Sequence, residues 1–457
     1  MTAGKNGGEA KRFLVFCRFY LIDDFRGNFA PFEGDERFEF AFFTDGHSPG
    51  TEDTRKRFYA AYEANERSQE LSAEDEDEIV TRCRYLRNID REKAVRQAHA
   101  MAVSIAAKLD DFRPEAILSH VVDDYVTHVC SILAAKRGIR YVSYAFSYFP
   151  GHIQLIQGWD GTPFDLRDPS DEEVDNVHAE IGQRVFRQNY LQKGRYSRAV
   201  HLHMIGRYFI KRVAFTLKKY KERDPLNLHY TVTPFVADRQ KLRDFPSKSL
   251  FDAEWRDDLK RLRKDNPDIP VVYLPLAFTP ESTIDYWIDD RRPIDYEPLM
   301  LEVMETLSRS TIVIAKDHTH MQGIRKPAFY NALGGLERVI NVPPEDFSND
   351  VLEECNIVLL GGGSVGVEAT IRGKPVASYA PDCYWFAHSG ATPLDFGQLA
   401  EWPQQLRAAI ERYRPKSEEE NRAFIRACLA STVRPRGGQR IWPFIQPDDL
   451  ERLLLAA

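Results

Sequence analysis

At 457 residues, 43% hydrophobic and 29% charged, the chain holds enough apolar material for two or three domains, which excludes a disordered or low-complexity polymer. Its 62 Lys and Arg against 69 Asp and Glu leave a net charge of −7, which excludes a nucleic-acid binder relying on a globally basic surface. Six widely spaced cysteines without CxxC or metal-ligand spacing, and no apolar run of membrane-spanning length, point to reduced thiols in a cytoplasmic protein.

The first 150 residues alternate strand-like and helix-like stretches. Phe13–Phe16 and Phe38–Phe43 read as strands, and Ala94–Leu109 as an alanine-rich helix. A short apolar strand, Ala116–His120, precedes a helix over Tyr125–Lys136. Gly138 stops that helix, and Arg140–Ala145 returns to strand. Strand, helix, strand with short connections implies a parallel sheet covered on both faces. From 151 to 265 the pattern changes. Ser170 followed by Glu173 starts a helix running toward Tyr190, and 199–223 reads as one long basic helix, so this stretch is expected to be a helical insertion or connector. From 266 to 435 the alternation resumes, with strands over Val271–Leu276, Thr311–Lys316, Arg338–Val342, Asn356–Leu360 and Val376–Tyr379. A final helix is expected within 436–457. The fold class is therefore α/β, two Rossmann-like doubly wound domains facing a cleft.

Chemistry concentrates in two segments of the second domain. In ECNIVLLGGGSVGVEATIRGKPVASY (354–379), glycines after a buried strand let backbone approach a ligand. Gly362 and Gly363 lead into Ser364, placed at a helix N-terminus whose free N–H groups favour a phosphate. Glu368 lies one turn on, where a carboxylate accepts hydrogen bonds from ribose hydroxyls. The spacing is not the dinucleotide GxGxxG, and the plainer alternative is a glycine-rich turn with Ser364 as an ordinary cap. In TIVIAKDHTHMQG (311–323), Lys316 and His318 leave a strand end pointing the same way, suited to neutralising a phosphate leaving group, with His318 also able to donate a proton. His318 and His320 beside Asp317 fall short of a metal site, so neither metal nor cofactor is expected.

Lys316-x-His318, the Gly-Gly-Ser-Val-Gly-Val-Glu-Ala run (362–369) and Gly373-Lys-Pro375 resemble bacterial capsule and surface polysaccharide biosynthesis proteins, including Kdo transferases. The likeness is best over 270–385 and looser over 82–150, where it includes RCRYLRNIDREKA. It departs from the family motif at Thr319, where proline is usual. The resemblance implies a GT-B architecture and a nucleotide-sugar donor such as CMP-Kdo, held by Lys316, His318, Ser364 and Glu368. Its substrate would be a saccharide or lipid-linked acceptor.

An inverting transferase also needs a base. Asp123 and Asp124 follow the strand Ala116–His120, with Asp124 first choice, Asp123 next to it, and Asp23-Asp24 and Glu281 as runners-up. Helix capping is the competing role for the Asp123-Asp124 pair. Tyr384 and Trp385 are candidates to stack on a base or sugar. The basic helix 199–223 could contact an anionic membrane, placing the protein at the inner membrane face without nucleic-acid partners. The whole reads as an inverting, metal-independent glycosyltransferase building a capsule or surface glycan. A nucleotide-sugar epimerase, a CDP-polyol phosphotransferase or a non-catalytic subunit of an assembly complex are the alternatives.

Overall fold

The computed structural model describes residues 9–183, 198–226, 228, 250–279, 281–318, 321, 325–381, 383, 385–436 and 444–457. Strands are β1 (Lys11–Cys17), β2 (Phe38–Thr44), β3 (Glu52–Asp53), β4 (Ala116–His120), β5 (Arg140–Phe146), β6 (Ile153–Gln157) and β7 (Thr162–Pro163), then β8 (Val271–Pro275), β9 (Ile312–Lys316), β10 (Val339–Val342), β11 (Ile357–Leu360), β12 (Val376–Ser378), β13 (Thr392–Pro393) and β14 (Thr432–Val433). The first sheet has the order β14-β6-β5-β4-β1-β2-β3, with β7 on β6; the second has the order β10-β9-β8-β11-β12-β13. All pairs in the second sheet are parallel. In the first, β1 to β5 are parallel, while β6, β7 and β14 add antiparallel.

Near-continuous apolar runs explain the central strands: β4 and β8 to β11 are buried along almost their whole length, as parallel strands covered by helices on both faces must be. Two Rossmann-like halves result, and the chain end returns from the second to the first through β14 and the helix Pro447–Ala456, the plan of a GT-B protein.

Three boundaries differ from expectation. The first half continues past residue 150 because the hairpin β6–β7 joins its sheet; IQLIQ is too short to stand out beside the helical stretch after it. The helix begun at Ser170 ends at Gly182, short of Tyr190. The last helix is no separate unit: Leu450, Leu453 and Leu454 pack with Phe13, Val15 and Phe25 against the first sheet.

The halves share one apolar core running from Leu14 and Phe16 to Val272, Leu359 and Leu429. A polar clasp closes beside it. Arg82 donates to the carbonyls of Asp285 (3.0 Å), Ile288 (2.8 Å) and Asp289 (3.0 Å), and Arg291 reaches Asp77 at 2.5 Å. His128 is sealed between Trp159 and Tyr286, and burial pushes its pKa down to about 3, so it is neutral there. All six cysteines are buried and outside any disulfide. No helix among the described residues is long and apolar enough to cross a membrane.

Candidate active site

Parallel strands deliver side chains to one edge, and this chain uses that edge in both halves. In the first, β1 ends at Cys17 and presents Arg18, β2 ends at Thr44 and presents Asp45, and β4 ends at His120 and presents Asp123 and Asp124. Arg18 is buried and pairs with all three carboxylates: Asp45 at 3.2 Å, Asp124 at 3.2 Å, and Asp123. The Phe19 amide donates to the other oxygen of Asp45 at 2.9 Å.

The two neighbouring aspartates have different jobs. Asp124 caps the helix Tyr125–Lys136: its Oδ1 accepts from the amides of Val126 (3.1 Å) and Thr127 (3.2 Å) and from the Thr127 hydroxyl (3.1 Å), while Oδ2 takes Arg18. Fully buried and with both oxygens engaged, it has no face for a substrate, which corrects its place as first choice for the base. The Asp123 side chain keeps 28% of its surface, and His120 Nε2 stands 3.4 Å from its Oδ1. Burial alone would raise the Asp123 pKa, but Arg18, His120 and Arg84 outweigh it and hold the carboxyl well below its ordinary range. Asp23 and Asp24 lie in the first turn of the helix Ile22–Phe29, where negative charge suits the helix dipole.

In the second half, Lys316 ends β9 and is buried, its ammonium donating to the carbonyls of Pro344 (3.1 Å) and Asp317 (3.4 Å). Its charge also acts on Glu368. Asp317 is locked by Arg325 (2.8 and 3.1 Å) and the Tyr330 hydroxyl (2.5 Å), and accepts the His318 amide at 2.8 Å, which braces the backbone at His318. The His318 ring packs edge-on to Phe278. Thr319, His320 and Tyr384 lie outside the described residues.

The glycine turn after β11 has Gly363 at φ 130°, ψ 156°, a conformation open in practice only to glycine, and Gly363 rather than Ser364 occupies the cap position. Ser364 is the first residue of the helix Ser364–Ile371, and its hydroxyl hydrogen-bonds Glu368 one turn later. A β-carbon at Gly362 would stand 3.2 Å from the hydroxyl of Tyr148, which belongs to the first half. Trp385 is not a stacking platform: it is fully buried against Gly366.

Arg84 links the halves. It lies 3.0 Å from Asp285 and acts electrostatically on both Asp123 and Glu281. Enclosure by protein raises the Glu281 pKa, although its side chain still reaches solvent and accepts from the Thr283 hydroxyl at 2.9 Å. Sequence reasoning missed Arg18, Asp45, Arg84 and Tyr148 as site residues. A cation interrupting the apolar run directly after β1 was the available signal for Arg18. Among the described residues no three His, Cys, Asp or Glu side chains gather as metal ligands.

Burial raises Glu368 to about 7, against the lowering pull of Ser364, Arg372 and Lys316. The folded state therefore holds its proton more tightly than the unfolded chain, and stability is lost as pH rises from about 4.5 through 7. The full effect is about 3 kcal/mol. Glu368→Gln should raise the melting temperature at pH 8 and change it little at pH 5; an equal change at both would show that Glu368 is not held neutral.

No family model matches the chain, and no curated protein matches it. Solved structures similar to it include the UDP-GlcNAc 2-epimerase of Neisseria meningitidis bound to UDP-GlcNAc, at 13% identity over 92% of this chain and 97% of that one, TM-score 0.28. The β-Kdo 2,7-transferase KpsC of Thermosulfurimonas dismutans shares 12% identity over 77% and 88%, TM-score 0.31. The calicheamicin glycosyltransferase CalG4 shares 15% over 93% and 95%, TM-score 0.30. Superpositions this loose transfer no substrate, and the chemistry has to come from the site itself.

Proposed function

We propose that the protein is a nucleotide-sugar enzyme, and specifically an inverting glycosyltransferase that works without a metal. The observation that carries this reading is the meeting of two strand edges at one glycine turn. Gly362–Gly363–Ser364 opens a helix N-terminus suited to phosphate, with Lys316 and Glu368 beside it. Tyr148 brings the first half against the same place, and Arg84 joins the halves at Asp285. In this reading the second half holds the nucleotide: turn amides and Ser364 take the phosphates, His318 neutralises or protonates the leaving phosphate, and Glu368 serves the ribose. The first half presents the acceptor, whose hydroxyl proton passes to Asp123 as the new glycosidic bond forms. Arg18 and Asp124 hold Asp123 in place.

The family resemblance favours CMP-Kdo as donor and a lipid-linked or saccharide acceptor of a bacterial surface glycan. Calorimetry of the protein with CMP, UDP, GDP and CDP should show binding by one of them, CMP foremost, weakened by roughly 1.5–3 kcal/mol in Lys316→Ala. Absence of binding by all four would remove the donor site.

An epimerase is the second reading. Glu281, whose pKa is raised, and Asp123, held ionised, face Arg84 from the two halves, and an acid and a base so placed suit proton removal and return on one sugar. Turnover of a nucleotide sugar without any acceptor would select it.

A further inference from the structure

The helix Arg198–Lys221 leaves an apolar stripe in solvent. Leu202, Ile210, Val213, Leu217 and Tyr220 are 60% to 73% exposed, an unusual concentration of large apolar side chains on one element. At about 100° per residue these five positions fall within an arc of about 80°, and no Lys or Arg position falls inside it. The same helix has seven Lys or Arg among its 24 residues and no Asp or Glu, within a chain whose net charge is −7. A helix that is apolar on one side, strongly cationic around it and free of acids is built for an anionic lipid surface: the stripe enters the headgroup boundary and the cations meet lipid phosphates.

The end of the helix is firmly held. Lys218 Nζ sits 3.6 Å over the Phe19 ring, Glu222 pairs with Arg55 at 3.0 Å, and the Leu226 amide donates to the Tyr59 hydroxyl at 3.1 Å. Phe19 directly follows Arg18, so the helix is docked beside the strand edge that carries Asp123.

We infer that this helix lies on the surface of an anionic bilayer and thereby sets the acceptor side of the site against the membrane. The inference deepens the transferase reading by naming where the acceptor resides, yet lipid binding is measured without any nucleotide. In a flotation assay the full chain should bind vesicles of phosphatidylcholine with 30% phosphatidylglycerol, and bind pure phosphatidylcholine vesicles at least tenfold less. Val213→Asp/Leu217→Asp should lower binding to the anionic vesicles at least tenfold, with melting temperature, molar mass and nucleotide affinity unchanged. Lys219→Glu/Lys221→Glu should lower it severalfold. Failure of the unmodified chain to bind anionic vesicles, or equal binding by the double-aspartate variant, overturns the inference. So does a fall in that variant's melting temperature, which would mean the stripe is packed within the chain, or a fall in its molar mass, which would mean a second copy covers it.

Discussion

Asp123→Asn should reduce kcat by about 10²–10⁴-fold while leaving nucleotide affinity and fold intact, because general-base loss has that size and asparagine preserves shape. The structure separates this residue from its neighbour. Asp123 keeps solvent-facing surface beside His120, whereas Asp124 spends both oxygens on a helix cap and on Arg18. Asp124→Asn should therefore retain the cap, lose part of its ion pair and show its effect mainly in melting temperature. Glu281→Gln is the internal comparison from the other half: a full loss there, with normal turnover in Asp123→Asn, would move the base to Glu281.

Arg18→Ala should be the most destabilising single change in the site, costing about 3–5 kcal/mol, because it strands the buried carboxylates of Asp45 and Asp124 without their cation. That approaches the whole stability of an ordinary domain. Burial already raises the Asp45 pKa despite Arg18, and removing the guanidinium takes away the strongest opposing influence. The Asp45 carboxyl of the variant will then favour the protonated form, so the deficit should shrink toward pH 5 and grow toward pH 8. Chemical denaturation at the two pH values measures this; a loss under about 1 kcal/mol at pH 8 would show that the cluster is not electrostatically tied to Arg18.

The elements legible in sequence were those with an unbroken local signal. Ala116–His120 and Tyr125–Lys136 fall where the apolar run and Gly138 put them, and Ser170 caps its helix by accepting the Glu173 amide. That Ser364 and Glu368 share one helix face was legible for the same reason, but not that they hydrogen-bond each other. What was hidden depends on distant parts of the chain. Nothing local in IQLIQ says that it pairs with β5 and β14, and nothing in RCRYLRN says that Arg82 and Arg84 will meet Asp285 some two hundred residues later. Capping was foreseen for the Asp123-Asp124 pair, but not which of the two takes it, because three strand ends must converge around Arg18 before they differ. Likewise Lys316 could be placed at a strand end, but not its burial against the Pro344 carbonyl.

In the proposed function everything depends on the glycine turn after β11 holding the phosphates of a nucleotide. A crystal structure of the protein soaked with the nucleotide that binds most tightly in calorimetry tests it directly. Phosphate oxygens are expected within hydrogen-bond distance of the Gly363 and Ser364 amides, with the ribose beside Glu368. A nucleotide bound elsewhere, with this turn left empty at saturating concentration, would contradict it.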